Sequence, residues 1–241
     1  MLIKRLTPAH TYLQYTDHDS IMVTGAKEVK QRTVDNTKTR AAMQATYDVA
    51  DEFDRIFANR SDVAVMHDFR MNTPDGNVHI DHLFITHNFH VFIVESRTLG
   101  STLSIDDDKK FTMTDHEGTT CVIPSPIRQL RLNRAVFKRV LRKLDVPKRF
   151  GRELVPTFHN YLLVDPKTVL LNRSEIGFEY FVSPAQLISL IDQDAKRSSI
   201  LGFLRQMPTT QLRRTSREIA KMHAPKKVRF SSKFRHINIP T

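Results

Sequence analysis

Two acidic residues interrupt apolar runs near the middle of the chain, and they are the first candidates for chemistry. Asp81 follows Ile80, and Glu95 ends the run Val-Phe-Ile-Val-Glu, both in β-branched and aromatic surroundings typical of buried strands. Arg97 stands two positions after Glu95, so alternation along a strand places the two side chains on one face. A carboxylate in such a run requires a compensating charge nearby.

A metal ion would meet that requirement. The short His87-Asn88 segment can turn the chain so that Asp81 and Glu95 lie side by side. Neighbouring carboxylates repel and raise each other's pKa unless a cation separates them. Mg²⁺ or Mn²⁺ accepts such oxygens and leaves positions for water and phosphate, which suits hydrolysis of a phosphodiester by a metal-activated water. A plain salt bridge from either acid to Arg97 or a histidine is the alternative, and spacing alone leaves it open.

The surrounding patterns predict the elements that would position these residues. Apolar residues recur every three to four positions from Asn36 to about Ala58, which predicts a helix. Ser125-Pro126 has the sequence of a helix start and leads into a second predicted helix over 127–144. Strands are predicted at 63–72, 78–87, 90–98, 102–105, 110–114, 154–164 and 178–182, and further helices from Ser183-Pro184 through 204 and after Pro208 through 222. This order predicts an α/β domain with a mixed central sheet flanked by helices.

The charge is unevenly distributed. Residues 196–241 hold twelve Lys and Arg and one acid, which equals the whole formal charge of +11, while the preceding residues hold 25 bases and 25 acids. Such a basic helical extension favours a polyanion, and nucleic acid is the commonest one. A solvated tail without a partner is the alternative.

Basic residues on the second predicted helix also favour binding to nucleic acid. The basic residues of this helix recur at three-to-four spacing and form a stripe, which would guide a phosphate backbone toward Asp81 and Glu95. An ordinary exposed helix face has the same pattern and is the alternative. The candidate nucleic-acid-binding residues are Arg128, Arg131, Arg134 and Lys138 on this helix and Arg213, Arg214, Lys226 and Lys227 in the basic extension.

The chain resembles the nuclease-related domain (NERD) family. Three ordered segments carry the resemblance: GNVHIDH at 76–82, VFIVESR at 91–97 and IPSPIRQ at 123–129. The resemblance implies a restriction-endonuclease-like fold of the Asp…(Asp/Glu)-x-Lys superfamily. It implies Asp81 and Glu95 as metal ligands, Arg97 in the place of the lysine, and Gln129 facing the site. Together with the sequence patterns and the charge distribution, it divides the chain into an unassigned N-terminal extension at 1–36, a nuclease-related domain at 37–195 and a basic helical arm and tail at 196–241.

This sequence departs from the family pattern at two places. Arginine at position 97 stays charged, so it can orient or stabilise but cannot act as a general base as a lysine could. Where the family has Gly-Glu in the first helix, this chain has Ala45-Thr46, and Asp48 is a candidate substitute acid.

The resemblance implies a metal-dependent DNA endonuclease or nickase. The alternatives are a catalytically weakened nuclease-like module that binds nucleic acid, and a protein-interaction subunit of a DNA-processing or defence assembly. Whether one chain or a homodimer would act stays open.

The remaining features concern the compartment. A single cysteine, Cys121, cannot form an internal disulfide, which favours a reducing compartment, and it is expected to be a small buried side chain. The first residues lack the apolar core of a signal peptide, and no run approaches the roughly 20 apolar residues that span a bilayer. A cytoplasmic protein that does not bind membranes is therefore expected.

Overall fold

A computed structural model describes residues 2–4, 44, 46–74, 76–96, 102–105, 110–115, 117–145, 147–171, 180–196 and 206–224. Its strands are β1 (Leu2–Lys4), β2 (Val63–Thr73), β3 (Gly76–Thr86), β4 (His90–Ser96), β5 (Thr102–Ile105), β6 (Phe111–Thr114), β7 (Thr120–Ile123), β8 (Lys148–Arg149), β9 (Arg152–Glu153), β10 (Thr157–Leu163), β11 (Val169–Leu170) and β12 (Phe181–Val182). Its helices are α1 (residues 46–57), α2 (Pro126–Leu141), α3 (Pro184–Lys196) and α4 (Thr209–Lys221).

The central sheet has the strand order β1-β2-β3-β4-β10-β12. Strands β2, β3 and β4 are antiparallel, whereas β10 runs parallel to β4 and β12 runs parallel to β10. A chain that leaves β4 must therefore cross over before β10 begins, and α2 lies within that crossover. The predicted mixed α/β arrangement is confirmed.

Helices cover both faces of this sheet. Val91 and Ile93 of β4 belong to a core cluster that includes residues of α2 and α4, such as Leu130 and Leu212. Phe92, between them, belongs to a second cluster with α1 and α3. Because neighbouring strand residues point to opposite faces, α2 and α4 cover one face and α1 and α3 cover the other.

The C-terminal helix α4 is part of the core. Its residues Leu212 and Ile219 are fully buried with the α2-side cluster, and the amide of Ala224 donates to the carbonyl of Arg70 on β2. At the other end of the chain, β1 pairs with β2. Residues 2–4 thus extend the central sheet and residues 209–221 pack against it, and the three-part division of the chain stays a prediction.

A second sheet has the strand order β11-β5-β6-β7, and all of its strands come after β4 in the chain. The sequence predicts β5 and β6 but not β7, whose sequence Thr-Cys-Val-Ile lacks the apolar–polar alternation of the other two strands. Cys121 lies on β7 and is exposed, so its predicted burial is wrong. The reason is that β7 is an edge strand, where Val122 is also 68% exposed.

The predicted start of α2 is confirmed at Ser125-Pro126. Of the first predicted helix, the structure describes residue 44 and residues 46–57 as helical, and residues 36–43 lie outside the described ranges. None of the helices in those ranges combines the length and the apolar content that a membrane crossing requires.

Candidate metal and nucleic-acid site

Asp81 lies where the alternation of side chains between the two faces of the sheet is interrupted on two neighbouring strands. We call this interruption the face exchange. On β3, Val78 and Ile80 share one core cluster with Leu83 and Ile85, which strict alternation would place on the opposite face. The same exchange occurs on β2 at Asp68, which has a φ of 49°. The β2–β3 ladder pairs His67 with His82 and Phe69 with Ile80, so the exchange occurs at the level of Asp68 and Asp81 in both strands.

This distortion brings the Asp81 carboxylate to the end of β4. The backbone amide of Ser96 donates to Asp81 Oδ2 at 2.8 Å. The β3–β4 ladder ends at the pair His82 and Val94, and Asp81 and Glu95 are the residues next to that pair on their strands. The structure therefore brings the two predicted acids together on adjacent strands.

Glu95 is buried, with 4% of its surface exposed, and is held from α2. Asn133 Nδ2 donates to Glu95 Oε1 at 2.6 Å and to the carbonyl of His79 at 2.7 Å. Gln129 Nε2 donates to Asn133 Oδ1 at 3.1 Å. The predicted Gln129 is thus connected to the acid through Asn133, one helical turn further along α2.

A histidine and a third acid adjoin Asp81. His79 Nε2 lies 2.9 Å from Asp68 Oδ1 and 3.4 Å from Asp81 Oδ1. Arg70 Nη2 lies 2.8 Å from the same oxygen of Asp68. The alternative interpretation of Asp81 as an acid beside a histidine therefore has a geometric basis.

A buried chain of polar groups links α1 to the end of β4. His67 Nε2 is 3.0 Å from Asp54 Oδ1, His67 Nδ1 is 2.8 Å from His82 Nδ1, and His82 Nε2 is 2.9 Å from Ser96 Oγ. Burial, together with the charges of His67 and His79, holds the pKa of His82 well below its usual value, so His82 is neutral. When His67 carries one proton, that proton faces Asp54, His82 donates to His67, and Ser96 Oγ donates to His82.

Several predicted residues lie apart from this group or outside the described residues. Arg97, Lys226 and Lys227 fall outside the described ranges. Asp48 is exposed on α1, where it accepts a hydrogen bond from Gln44. Because α1 covers the face opposite to α2, Asp48 does not join Glu95.

The predicted cations of α2 and α4 differ in their surroundings. Arg128 and Lys138 are exposed, whereas the guanidinium of Arg131 lies 5.8 Å from the ring centroid of Tyr180 and that of Arg134 lies 5.9 Å from Phe158. Arg213 and Arg214 are exposed on α4, and Arg214 Nη2 is 3.7 Å from Asp145.

Sequence reasoning missed Asn133, His79 and Asp68. Asn133 follows Gln129 by four residues and so shares its helix face, where a polar residue among apolar ones was a usable signal. Asp68 interrupts the apolar run Val63–Met66 and Phe69 in the way that Asp81 interrupts its own run. The face exchange on β2 and β3 has no local signal in the sequence, because it is a distortion shared by two strands that pair in space.

The donor set fits a hard divalent cation that keeps its own water. Among the described residues, no group of three or more His, Cys, Asp or Glu side chains could hold a metal ion by itself. Mg²⁺ usually requires only one or two carboxylates, with water and substrate oxygens completing its shell. Asp81 and Glu95 supply that number, and hydrogen bonds from outside the pair orient both of them.

Comparison with known proteins supports the relationship inferred from the motifs. The family model described as nuclease-related domain matches residues 41–165, just over half of the 241-residue chain. The match runs from α1 through β10 and contains both acids, Gln129 and Asn133. Searches of curated proteins and of solved structures give no match. The chain belongs to the nuclease-related domain (NERD) family.

Proposed function

We propose that this protein is a metal-dependent DNA endonuclease or nickase with a restriction-endonuclease-like fold. The observation that carries the proposal is the pair of oriented acids. Asp81 accepts from the Ser96 amide, and the buried Glu95 accepts from Asn133, on adjacent strands of a chain from a nuclease-related family. The arrangement of the antiparallel β2–β4 meander, α2 and the parallel strand β10 supports the fold.

The two acids would hold Mg²⁺ or Mn²⁺. When bound, such an ion lowers the pKa of a water and neutralises charge on the phosphodiester. The protein side chains have separate tasks. The Ser96 amide and Asn133 fix the carboxylates, Gln129 adds a polar group at the start of α2, and the permanently charged Arg97 stabilises negative charge on the phosphate.

The basic surfaces supply affinity for DNA. Exposed Arg128 and Lys138 on α2 and Arg213 and Arg214 on α4 neutralise phosphates without reading sequence. Arg131 and Arg134 are held against aromatic rings, which orients their guanidinium groups. Lys226 and Lys227 add further positive charge in the sequence that follows α4.

A plasmid assay tests the reaction. Supercoiled and linear DNA are incubated with Mg²⁺, with Mn²⁺ or with a chelator. We expect metal-dependent nicking or cutting, and a loss of at least about 100-fold in Asp81→Asn and in Glu95→Gln, because each removes a charged ligand. Asp51→Asn, which neutralises an exposed acid of α1, is the matched control and should cleave like the unmodified chain. Cleavage that persists in chelator or in both site variants contradicts the proposal.

A second candidate is a nuclease-like module that binds nucleic acid without cutting it. Two observations favour it, namely the arginine at position 97 and the contact of His79 with both Asp68 and Asp81. For this function, metal is not needed, and Asp81→Asn and Glu95→Gln keep full salt-sensitive DNA affinity and full activity in the cell. The plasmid assay separates the two functions, because only the first predicts product.

A further inference from the structure

A small hairpin after α2 presents an aromatic side chain to solvent. Strands β8 and β9 pair Lys148 with Glu153 and Arg149 with Arg152, which leaves Phe150 and Gly151 as a two-residue turn. Both turn residues have positive φ, 51° and 76°. This is the turn in which Asn-Gly and Asp-Gly are favoured, so a phenylalanine at its first position is a conformational outlier.

Phe150 is also an outlier in exposure. It is 71% exposed, whereas the other phenylalanines that the structure describes are at most 8% exposed. Packing in the core therefore does not explain why an aromatic ring occupies this strained position. A ring held at the tip of a tight hairpin is preorganised for contact with a partner.

The charges around the ring indicate the kind of partner. The guanidinium of Arg149 lies 4.9 Å from the centroid of Phe150, and Lys148 and Arg152 flank the turn. The acid of the hairpin, Glu153, has one oxygen 3.9 Å from Lys148. An aromatic face among cations matches a nucleic-acid strand, in which bases stack on aromatic rings and phosphates contact basic side chains.

We propose that the β8–β9 hairpin is a base-stacking element that binds an unpaired base. Phe150 stacks on the base, and Lys148, Arg149 and Arg152 contact the flanking phosphates. In a continuous duplex both faces of each base are covered by its neighbours, so the ligand class is nucleic acid with a single-stranded stretch, a flap or a junction. This inference rests on the proposed function, because it names the substrate class of the same enzyme.

Helix α2 connects the hairpin to the acids. Gln129 lies near its start and Leu141 at its end, so these two residues are separated by about 18 Å along the helix axis. Lys138 and Arg139 are exposed on α2, and Arg142 is exposed just after it. A strand that follows this helix at about 3.4 Å per nucleotide would pass roughly five nucleotides between Gln129 and Leu141.

Helix α4 adds to the same surface. Gln211 Nε2 donates to the carbonyl of Lys148 at 3.4 Å, and a cavity of about 270 Å³ lies between α4 and the hairpin, with Lys148 and Arg214 among its lining residues. The hairpin is thus adjacent to Arg214, one of the cations assigned to DNA above.

The test uses the absence of tryptophan from the sequence. Phe150→Trp introduces a single tryptophan, and its fluorescence is titrated in chelator with three DNAs: a single-stranded oligonucleotide, a blunt duplex and an abasic oligonucleotide of equal length. Stacking predicts quenching by the single strand, with little change for the abasic strand or the duplex. Chelator prevents metal-dependent cleavage, so the binding result does not depend on catalysis.

A second variant measures the contribution to affinity. Phe150→Asn creates the Asn-Gly turn that this backbone favours, so the variant is expected to fold at least as well as the unmodified protein. We expect it to bind the single strand about 5- to 100-fold more weakly and the abasic strand less than twofold more weakly. Val155→Ala, which truncates a nearby apolar side chain that is 84% exposed, is the matched control and should change neither affinity.

Three results would overturn the inference. They are unchanged single-strand affinity in Phe150→Asn, an equal loss for the abasic strand, and a Phe150→Trp signal that responds to vesicles of phosphatidylcholine and phosphatidylserine but not to DNA. Metal-dependent plasmid cleavage together with any of these leaves the proposed function intact. Base-dependent quenching without cleavage supports the inference and favours the non-cutting module.

Discussion

At the scale of single residues, Asn133 connects α2 to two strands of the central sheet. Its amide nitrogen has two hydrogens, and the structure directs one to the buried Glu95 carboxylate and the other to the carbonyl of His79 on β3. A carboxylate that is 4% exposed depends on such donors, because it has little access to water. The sequence of α2 marks Asn133 as a polar residue on an apolar face, but it does not identify the two partners on β3 and β4.

Replacing Asn133 with leucine should therefore affect both activity and stability. Asn133→Leu removes a donor while leaving the Glu95 carboxylate in place, so we expect cleavage to fall about 10- to 100-fold and the free energy of unfolding to fall by about 1–3 kcal/mol. Plasmid cleavage kinetics and urea unfolding measure the two effects. Leu132→Ala, at an exposed neighbour on the same helix, should change neither by a comparable amount. Unchanged activity in Asn133→Leu would show that the amide does not orient the acid.

His82 makes the stability depend on pH. Its folded pKa lies well below the roughly 6.5 of an unfolded histidine, because of burial and the charges of His67 and His79. Below pH 6.5 the unfolded chain therefore binds more protons than the folded chain, and stability falls as the pH falls. One such group contributes a slope of up to about 1.4 kcal/mol per pH unit.

The comparison of unfolding at several pH values tests this effect. His82→Asn should reduce the slope of the free energy of unfolding between pH 6.5 and 5, even though the variant is less stable at pH 7. Burial also lowers the pKa of His159, and that contribution remains in the variant. Parallel curves for the two proteins would mean that His82 does not titrate on unfolding in this range.

At the scale of elements, helix α4 combines a core face with a basic face. Leu212 and Ile219 are fully buried, whereas Arg213, Arg214, Arg217 and Lys221 are exposed. For the proposed function, we expect these cations to contribute to DNA binding through phosphate contacts, which are electrostatic and independent of sequence. Such contacts are visible in the salt dependence of affinity.

Salt titration measures how many of these cations contact phosphate. Arg213→Gln together with Arg214→Gln should reduce the slope of log affinity against log salt by about two, close to one per lost contact. Arg55→Gln removes an exposed charge from α1, on the opposite face of the sheet, and should leave the slope unchanged. An equal change in both proteins would indicate a nonspecific effect of net charge.

The elements also show how much the sequence could predict. The long strands and α2 were predictable because β-branched runs and the Ser125-Pro126 start are local signals. The two acids could be placed together because a hairpin fixes the pairing of its strands. The face exchange at Asp68 and Asp81 could not be predicted, since it is a distortion shared by two strands that are paired in space. Asn133 was missed for a related reason, because its partners lie on other elements.

At the scale of the whole molecule, the core extends into the predicted C-terminal arm. Met207, Leu212 and Ile219 are all buried in the cluster that covers the α2 face of the central sheet. Burying each such side chain stabilises the fold by about 1.5–3 kcal/mol, and the total stability of a domain is about 5–15 kcal/mol. The segment that carries the positive charge therefore also contributes to the stability of the domain.

Truncation tests the contribution of the arm to the stability of the domain. A chain ending at residue 205 should lose its cooperative thermal transition, whereas a chain ending at residue 224 should keep it and lose only part of its DNA affinity. Circular dichroism during heating measures the first effect and salt-controlled binding measures the second. A chain ending at 205 with an unchanged transition midpoint would show that the arm is separate from the core, as the predicted boundary at residue 196 implies.

The two hydrogen bonds from Asn133 have a consequence for local opening. They join α2 to β3 and to β4 at the two acids, so α2 cannot separate from the sheet without releasing Glu95. Hydrogen exchange of the α2 amides should thus report the fraction of molecules that retain an assembled site. If α2 opens before the rest of the protein on heating, the loss of activity should correlate with hydrogen exchange of the α2 amides. Activity should then be lost at a lower temperature than that of global unfolding.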